Sequence, residues 1–130
     1  MTIADQLRGK IVAIYRAPQD VDRLIEHADM LHEHGVDTFE ITVESPKGRD
    51  ALSKLTAWAC PGCLIGAGTV TTSEQLDFVK RQGPQFAVSP GLSPRLIEHA
   101  RSIHLAYIPG VLTPTDVMAA QALDVRLVKL

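Results

Sequence analysis

Two periods alternate along the chain. Short, β-branched-rich apolar runs recur at Ile11–Tyr15, Thr38–Val43, Leu64–Gly66, Phe86–Ser89, Leu105–Ile108 and Val125–Leu130, and each is long enough for one strand. Longer stretches with helical spacing lie between them. Val21, Leu24, Ile25, Ala28 and Leu31 share one helical face, and Gly35 follows as a stop. Ser45-Pro46, Ser93-Pro94 and Thr113-Pro114 each set a capping hydroxyl before a proline suited to the first helical position. Thr72 with Gln75 three residues on predicts a capping box, and Gly83 ends the helix that begins there. The first ten residues, MTIADQLRGK, are polar and helix-like.

Strands alternating with crossover helices imply parallel pairing, because a parallel neighbour needs a long return. An open doubly wound sheet and a closed barrel share this rhythm. A doubly wound dinucleotide fold wants Gly-x-Gly-x-x-Gly after its first strand, and none is there. A flavodoxin-like sheet instead predicts strand order 2-1-3-4-5. Polar residues gather at the C-terminal ends of most runs: Arg16, Glu40 with Thr42, Thr69, Ser89 and Lys129. Barrels build their active sites at that end. The expected fold is α/β, a (β/α)8 TIM barrel of which residues 1–130 cover about six units in one partial domain. Barrels run from ~200 residues upward. A C-terminally truncated chain is therefore expected, unless the missing strands come from another subunit.

Composition narrows the function classes. Hydrophobic residues make up 45% and charged residues 22%, and the net charge is -2. Basic residues are scattered, so no electrostatic case arises for nucleic acid or an anionic membrane as partner. No apolar stretch approaches a membrane span, and the N-terminus lacks the apolar core of a signal peptide. Cytoplasmic location is the expectation. Two cysteines are too few for a disulfide scaffold.

Six segments carry a resemblance: Ile11-Val-Ala-Ile-Tyr-Arg16, Gly35-Val-Asp-Thr-Phe-Glu-Ile-Thr42, Ile65-Gly-Ala-Gly-Thr-Val70, Phe86-Ala-Val-Ser-Pro-Gly91, Ile108-Pro-Gly-Val-Leu-Thr-Pro-Thr115 and Leu127-Val-Lys-Leu130. In order and spacing the chain resembles the 2-keto-3-deoxy-6-phosphogluconate / 4-hydroxy-2-oxoglutarate aldolase family. The resemblance implies a trimeric class I aldolase that needs neither metal nor cofactor and cleaves a 2-keto acid to pyruvate and an aldehyde. It implies Lys129 as the Schiff-base lysine, Glu40 as acid and base, and Thr69 at the keto-acid carboxylate, with Arg16 lining the same pocket. Many members carry an arginine for the substrate acid where this chain has Glu44, and Lys47 or Arg49 is a candidate to compensate. The family's phosphate site lies on loops after the seventh and eighth strands. A catalytically silent module that assembles through its open edges is the rival reading.

Each residue type suits its implied part. An amine attacks a ketone only when unprotonated, and a free lysine with pKa ~10.4 is almost never so at pH 7. An enclosed, apolar barrel mouth disfavours the ammonium form. A carboxylate inside a strand, as at Glu40, is unusual by propensity and suits proton transfer. The glycines before Thr69 allow close backbone approach to a ligand, although a tight turn capped by Thr71 or Thr72 explains them equally. Arg16 suits bidentate binding of an anion, or a plain surface position before the turn at Pro18. Cys60-Pro-Gly-Cys63 precedes the third strand, at the barrel end associated with stability, and lacks the second pair of a zinc site. It reads as a structural or thiol-sensitive turn. His27, His32 and His34 read as a solvated helix surface.

Overall fold

A computed structural model describes residues 1–130. Its elements run α1 (Ile3–Leu7), β1 (Val12–Tyr15), α2 (Val21–Glu33), β2 (Thr38–Thr42), α3 (Pro46–Trp58), β3 (Leu64–Gly68), α4 (Ser73–Gln82), β4 (Phe86–Val88), α5 (Pro94–Ser102), β5 (Ala106–Ile108) and α6 (Pro114–Ala122). All strand pairs are parallel, and the sheet order is β1-β2-β3-β4-β5. Sequential order is that of a barrel and rules out the 2-1-3-4-5 alternative.

Helix starts follow the capping chemistry. The side chains of Ser45, Thr72, Ser93 and Thr113 accept hydrogen bonds from the backbone at Gly48, Gln75, Leu96 and Asp116. Asp20 does the same for α2, and Thr2 with Asp5 boxes α1. Gly35 and Gly83 take the positive φ that lets the chain leave a helix.

Alternation along the strands divides the core into two layers. Phe39, Ile41, Val43, Ile65, Ala67 and Ala87 face the helices and join Leu24, Ala28, Leu52, Leu55, Leu76 and Val79 in the larger cluster. Leu64, Phe86, Val88 and Ile108 face the other way, where Ile3 and Leu7 of α1 and Leu127 pack on them. The short first helix thus covers the apolar concave side of the sheet.

One contact demonstrates the curvature. Lys129 forms an isolated parallel bridge with Gly110 beyond β5, yet its Nζ lies 3.5 Å from Glu40 Oε1 on β2. In a flat sheet four strand spacings would separate the two by ~19 Å, so the sheet curls on itself.

The sixth strand expected over Val125–Leu130 does not form. Only Lys129 is bridged, through Lys129 N–H to Pro109 O at 3.0 Å and Val111 N–H to Lys129 O at 2.9 Å. Lower down, a cleft of ≈ 230 Å³ lined by Ile3, Leu105, Ala106, Val125 and Leu127 separates the segment from β5. Apolar pattern alone does not make a strand. This segment has no neighbour on its outer side and meets β5 only at its top.

Candidate functional site

The C-terminal ends of the strands frame a cleft of ≈ 320 Å³ whose lining includes Arg16, Thr69, Ser89, Gly110 and Lys129. Glu40 sits beneath it. Register explains the convergence: Ile14, Glu40, Gly66, Phe86 and Ala106 lie abreast across the sheet, and Thr42 pairs with Gly68 one step higher. Side chains of one parity therefore rise together into the concave side.

Glu40 is 4% exposed. Its carboxylate leans over β3, where a Cβ added to Gly68 would stand 2.2 Å from Oε1. Its ionic partner is Lys129, donating across 89 residues of sequence at 3.5 Å. A buried carboxylate needs such a partner. The Lys129 side chain is 37% exposed, so the amine is only partly enclosed by the mouth. The bridge to Gly110 flanks the lysine on one side, and Leu130 beyond it is 93% exposed.

The first strand's loop is tied to the site from below. Thr42 is buried, and its Oγ1 accepts a hydrogen bond from Ala17 N–H at 2.9 Å. Ala17 takes φ 45 there, which turns the chain just after Arg16. The Arg16 guanidinium is exposed at the cleft rim. Thr69 adopts φ 57. A β-branched residue in the left-handed region is strained by about 1–3 kcal/mol. The surrounding structure imposes that strain and keeps Thr69 at the rim, directly after the glycine on which the Glu40 carboxylate rests.

Ser89 completes the lining. It is 4% exposed, at the end of β4, and its Oγ accepts from Gly91 N–H at 3.5 Å. The sequence marked it only as a polar strand end. A Cβ at Gly110 would meet Pro90 O at 2.2 Å, so this crossing of two loops requires glycine.

Glu44 is not brought to the cleft. It lies past the end of β2 and is exposed. Arg49 does not stand in for a missing arginine either: its Nε donates to Val43 O at 3.4 Å and its guanidinium lies 5.5 Å over the Phe78 ring. Lys47 Nζ donates to Gln19 Oε1 at 3.3 Å, which bridges α3 to the loop after β1. His27 and His34 are exposed as expected. His32 departs from that expectation. It is half-buried, 3.6 Å from Cys63 Sγ. Five residues after His27 and two before His34, it lies on a different side of α2, toward the start of β3.

Comparison with known proteins agrees with this architecture. A family model described as "Aldolase: KDPG and KHG aldolase" matches residues 3–130. The 2-dehydro-3-deoxy-phosphogluconate aldolase of Haemophilus influenzae is 33% identical over 127 residues, covering 98% of this chain and 59% of the relative. The structure of the 2-keto-3-deoxy-6-phosphogluconate aldolase of Zymomonas mobilis ZM4, solved with 3-phosphoglycerate, superposes with TM-score 0.88 at 30% identity, over 98% of this chain and 60% of that one. The KDPG aldolase from Legionella pneumophila, solved with pyruvate captured at low pH as a covalent carbinolamine intermediate, gives TM-score 0.82 at 28% identity, over 92% and 57%. The chain thus spans well short of the full length of each. With the match extending from residue 3 to residue 130, the chain belongs to the KDPG and KHG aldolase family.

Proposed function

We propose that this chain carries the Schiff-base centre of a class I aldolase acting on 2-keto-3-deoxy-6-phosphogluconate or 4-hydroxy-2-oxoglutarate type acids, with Lys129 as nucleophile and Glu40 as its proton partner. The contact between Lys129 Nζ and Glu40 Oε1, 3.5 Å across the mouth, carries the reading. Glu40 takes the ammonium proton, and the free amine adds to the substrate's C2 ketone. Loss of water from the carbinolamine gives an iminium. Glu40 then removes the C4 hydroxyl proton, the C3–C4 bond breaks, and its electron pair passes into the iminium to leave an enamine and the aldehyde. Protonation at C3 and hydrolysis release pyruvate and the free lysine. The Arg16 guanidinium and the Thr69 hydroxyl bind the C1 carboxylate. The covalent carbinolamine in the Legionella relative supports the chemistry. An exposed Glu44, outside the cleft, leaves the carboxylate site to Arg16 and Thr69. We further propose a trimer and, given a metabolic keto-acid substrate, a cytoplasmic location.

Borohydride trapping in the presence of pyruvate tests this. A reduced pyruvate adduct is expected on Lys129 and is lost in Lys129→Ala. Glu40→Gln keeps the lysine but forms the adduct on the order of 10²-fold more slowly. No adduct at saturating pyruvate, or an adduct on another lysine, overturns the assignment.

A second reading, a catalytically silent assembly module, is favoured by one observation. Ile14 on β1 is 44% exposed, and Leu112 and Met118, which follow β5, are 87% and 69% exposed. Failure to trap pyruvate together with a discrete oligomer on size-exclusion chromatography selects that reading.

A further inference from the structure

At the opposite end of β3 from Gly68 and Thr69, the entering turn places two thiols beside a histidine. Cys60-Pro61-Gly62-Cys63 closes tightly, with Cys63 N–H donating to Cys60 O at 2.9 Å. Gly62 has φ 90 and Pro61 precedes it, the combination of a type II turn. Such a turn holds its first and fourth Cα atoms within ~7 Å, near the ~4.4–6.8 Å that a disulfide spans. The two sulfurs differ in environment. Cys60 is half-buried and reachable, whereas Cys63 is 7% exposed. Burial pushes the Cys63 thiol up, against the opposing pull of its hydrogen bond with the Cys60 backbone. That sulfur lies within hydrogen-bond reach of His32 Nδ1, 3.6 Å away. The imidazole is itself held in place. Trp58 meets it edge-on at 6.1 Å, and Trp58 Nε1 donates to Asp29 Oδ1 at 2.6 Å.

We propose that Cys60, Cys63 and His32 form a redox-active dithiol site that accepts a low-molecular-weight disulfide as oxidant and closes an internal Cys60–Cys63 bond. The Cys60 thiolate attacks one sulfur of the external disulfide and expels a thiolate. His32 then takes the Cys63 proton. The Cys63 sulfur attacks the Cys60 sulfur, and the second external thiolate leaves. Two protein thiols are oxidised and one external disulfide is reduced to two thiols, so electrons and protons balance. The division of labour follows exposure: the accessible sulfur meets the oxidant, and the buried one, protonated until the histidine acts, resolves the mixed disulfide. No three metal-ligating side chains gather anywhere in the chain, which sets this turn apart from a zinc knuckle. The proposal does not depend on the catalytic reading.

The test uses the reduced, folded chain and glutathione disulfide at neutral pH, with acid quenching, alkylation in denaturant and intact mass. The wild type is expected to lose both alkylatable thiols and two hydrogens, and to retain no glutathione. Cys63→Ser is expected to keep glutathione on Cys60. His32→Asn reaches the same end state at least about tenfold more slowly, the effect of losing a general base. Persistent glutathione on wild-type Cys60, thiols that stay alkylatable, or closure as fast in urea-unfolded chain as in folded chain each overturns the proposal. An unchanged rate in His32→Asn also overturns it, by removing the histidine from the site.

Discussion

Gly66 and Gly68 lie two positions apart on one face of β3, and each makes room for something different. A Cβ at Gly66 would come within 2.1 Å of the Phe86 ring, which is 1% exposed in the concave core. A Cβ at Gly68 would come within 2.2 Å of Glu40 Oε1, the far end of a flexible side chain. The ring has nowhere to go, whereas the carboxylate can swing aside. Gly66→Ala is therefore expected to cost about 1–3 kcal/mol through overpacking, seen as a lower Tm. Gly68→Ala is expected to leave Tm close to the parent's while displacing the carboxylate from Lys129. Exchange of pyruvate methyl protons, which needs the base in place, then falls on the order of 10²-fold. The opposite pattern, a lowered Tm with Gly68→Ala and undiminished exchange in the folded variant, would show that Glu40 is held for stability alone. The parts proposed for Glu40 and Lys129 came from the family resemblance rather than from spacing, since a strand glutamate and a lysine near a chain end otherwise read as solvated; the curl that brings the two within 3.5 Å was not legible. The sequence did not reveal the left-handed backbone at Thr69, because nothing in Gly-Ala-Gly-Thr says which residue takes the positive φ.

Helix starts were the most legible elements, since capping is local chemistry that needs no tertiary partner. The three Ser/Thr-Pro pairs and the Thr72 box all form. The sixth strand was the least legible, since a strand is made by its neighbours and Val125–Leu127 lacks them. His32 belongs with it: its half-burial comes from α2 packing against Trp58 of α3, which helical spacing within α2 does not encode. The caps also set a pH response. Asp116 closes the box at the start of α6, and the backbone N–H groups of Thr113 and Leu112 hold its carboxyl below the usual range. The Lys10 side chain does the same for Asp37, which it meets just ahead of β2. A carboxyl whose pKa is lowered by folding stabilises the fold above its unfolded pKa and loses that contribution as pH falls through the folded one. Thermal melts are therefore expected to hold from neutral pH down to the ordinary carboxylate range, then drop as pH falls below about 3.8. Asp37→Asn is expected to lower Tm at pH 7 and to shrink the acid-side drop. An unchanged acid limb in that variant would show that the Lys10 contact contributes nothing in solution.

A curled sheet of five strands has two ends, and they are not equally covered. Beyond β5 the Lys129 bridge and the segment from Val125 shelter the edge in part. Beyond β1 nothing pairs, and Ile11 and Ile14 are 72% and 44% exposed. After β5, α6 shows Val117 and Met118 to solvent at 36% and 69%. An unpaired parallel edge offers a row of backbone donors and acceptors to any other chain, and the apolar side chains beside it reward the contact. Residues 1–130 prepared alone are therefore expected to self-associate in the micromolar range or below, a threshold set by standard interfaces of modest size. A lysine on an exposed edge opposes such pairing, since edge-to-edge contact would have to bury its charge. Ile11 is the place to put it: it is exposed, precedes β1 and lies at the opposite end of that strand from Arg16. Ile11→Lys is expected to shift sedimentation velocity toward monomer while leaving pyruvate trapping on Lys129 intact. Should trapping disappear with the oligomer, the cleft at the strand ends is completed by a second copy, and the unit of function is the assembly rather than the single curled sheet.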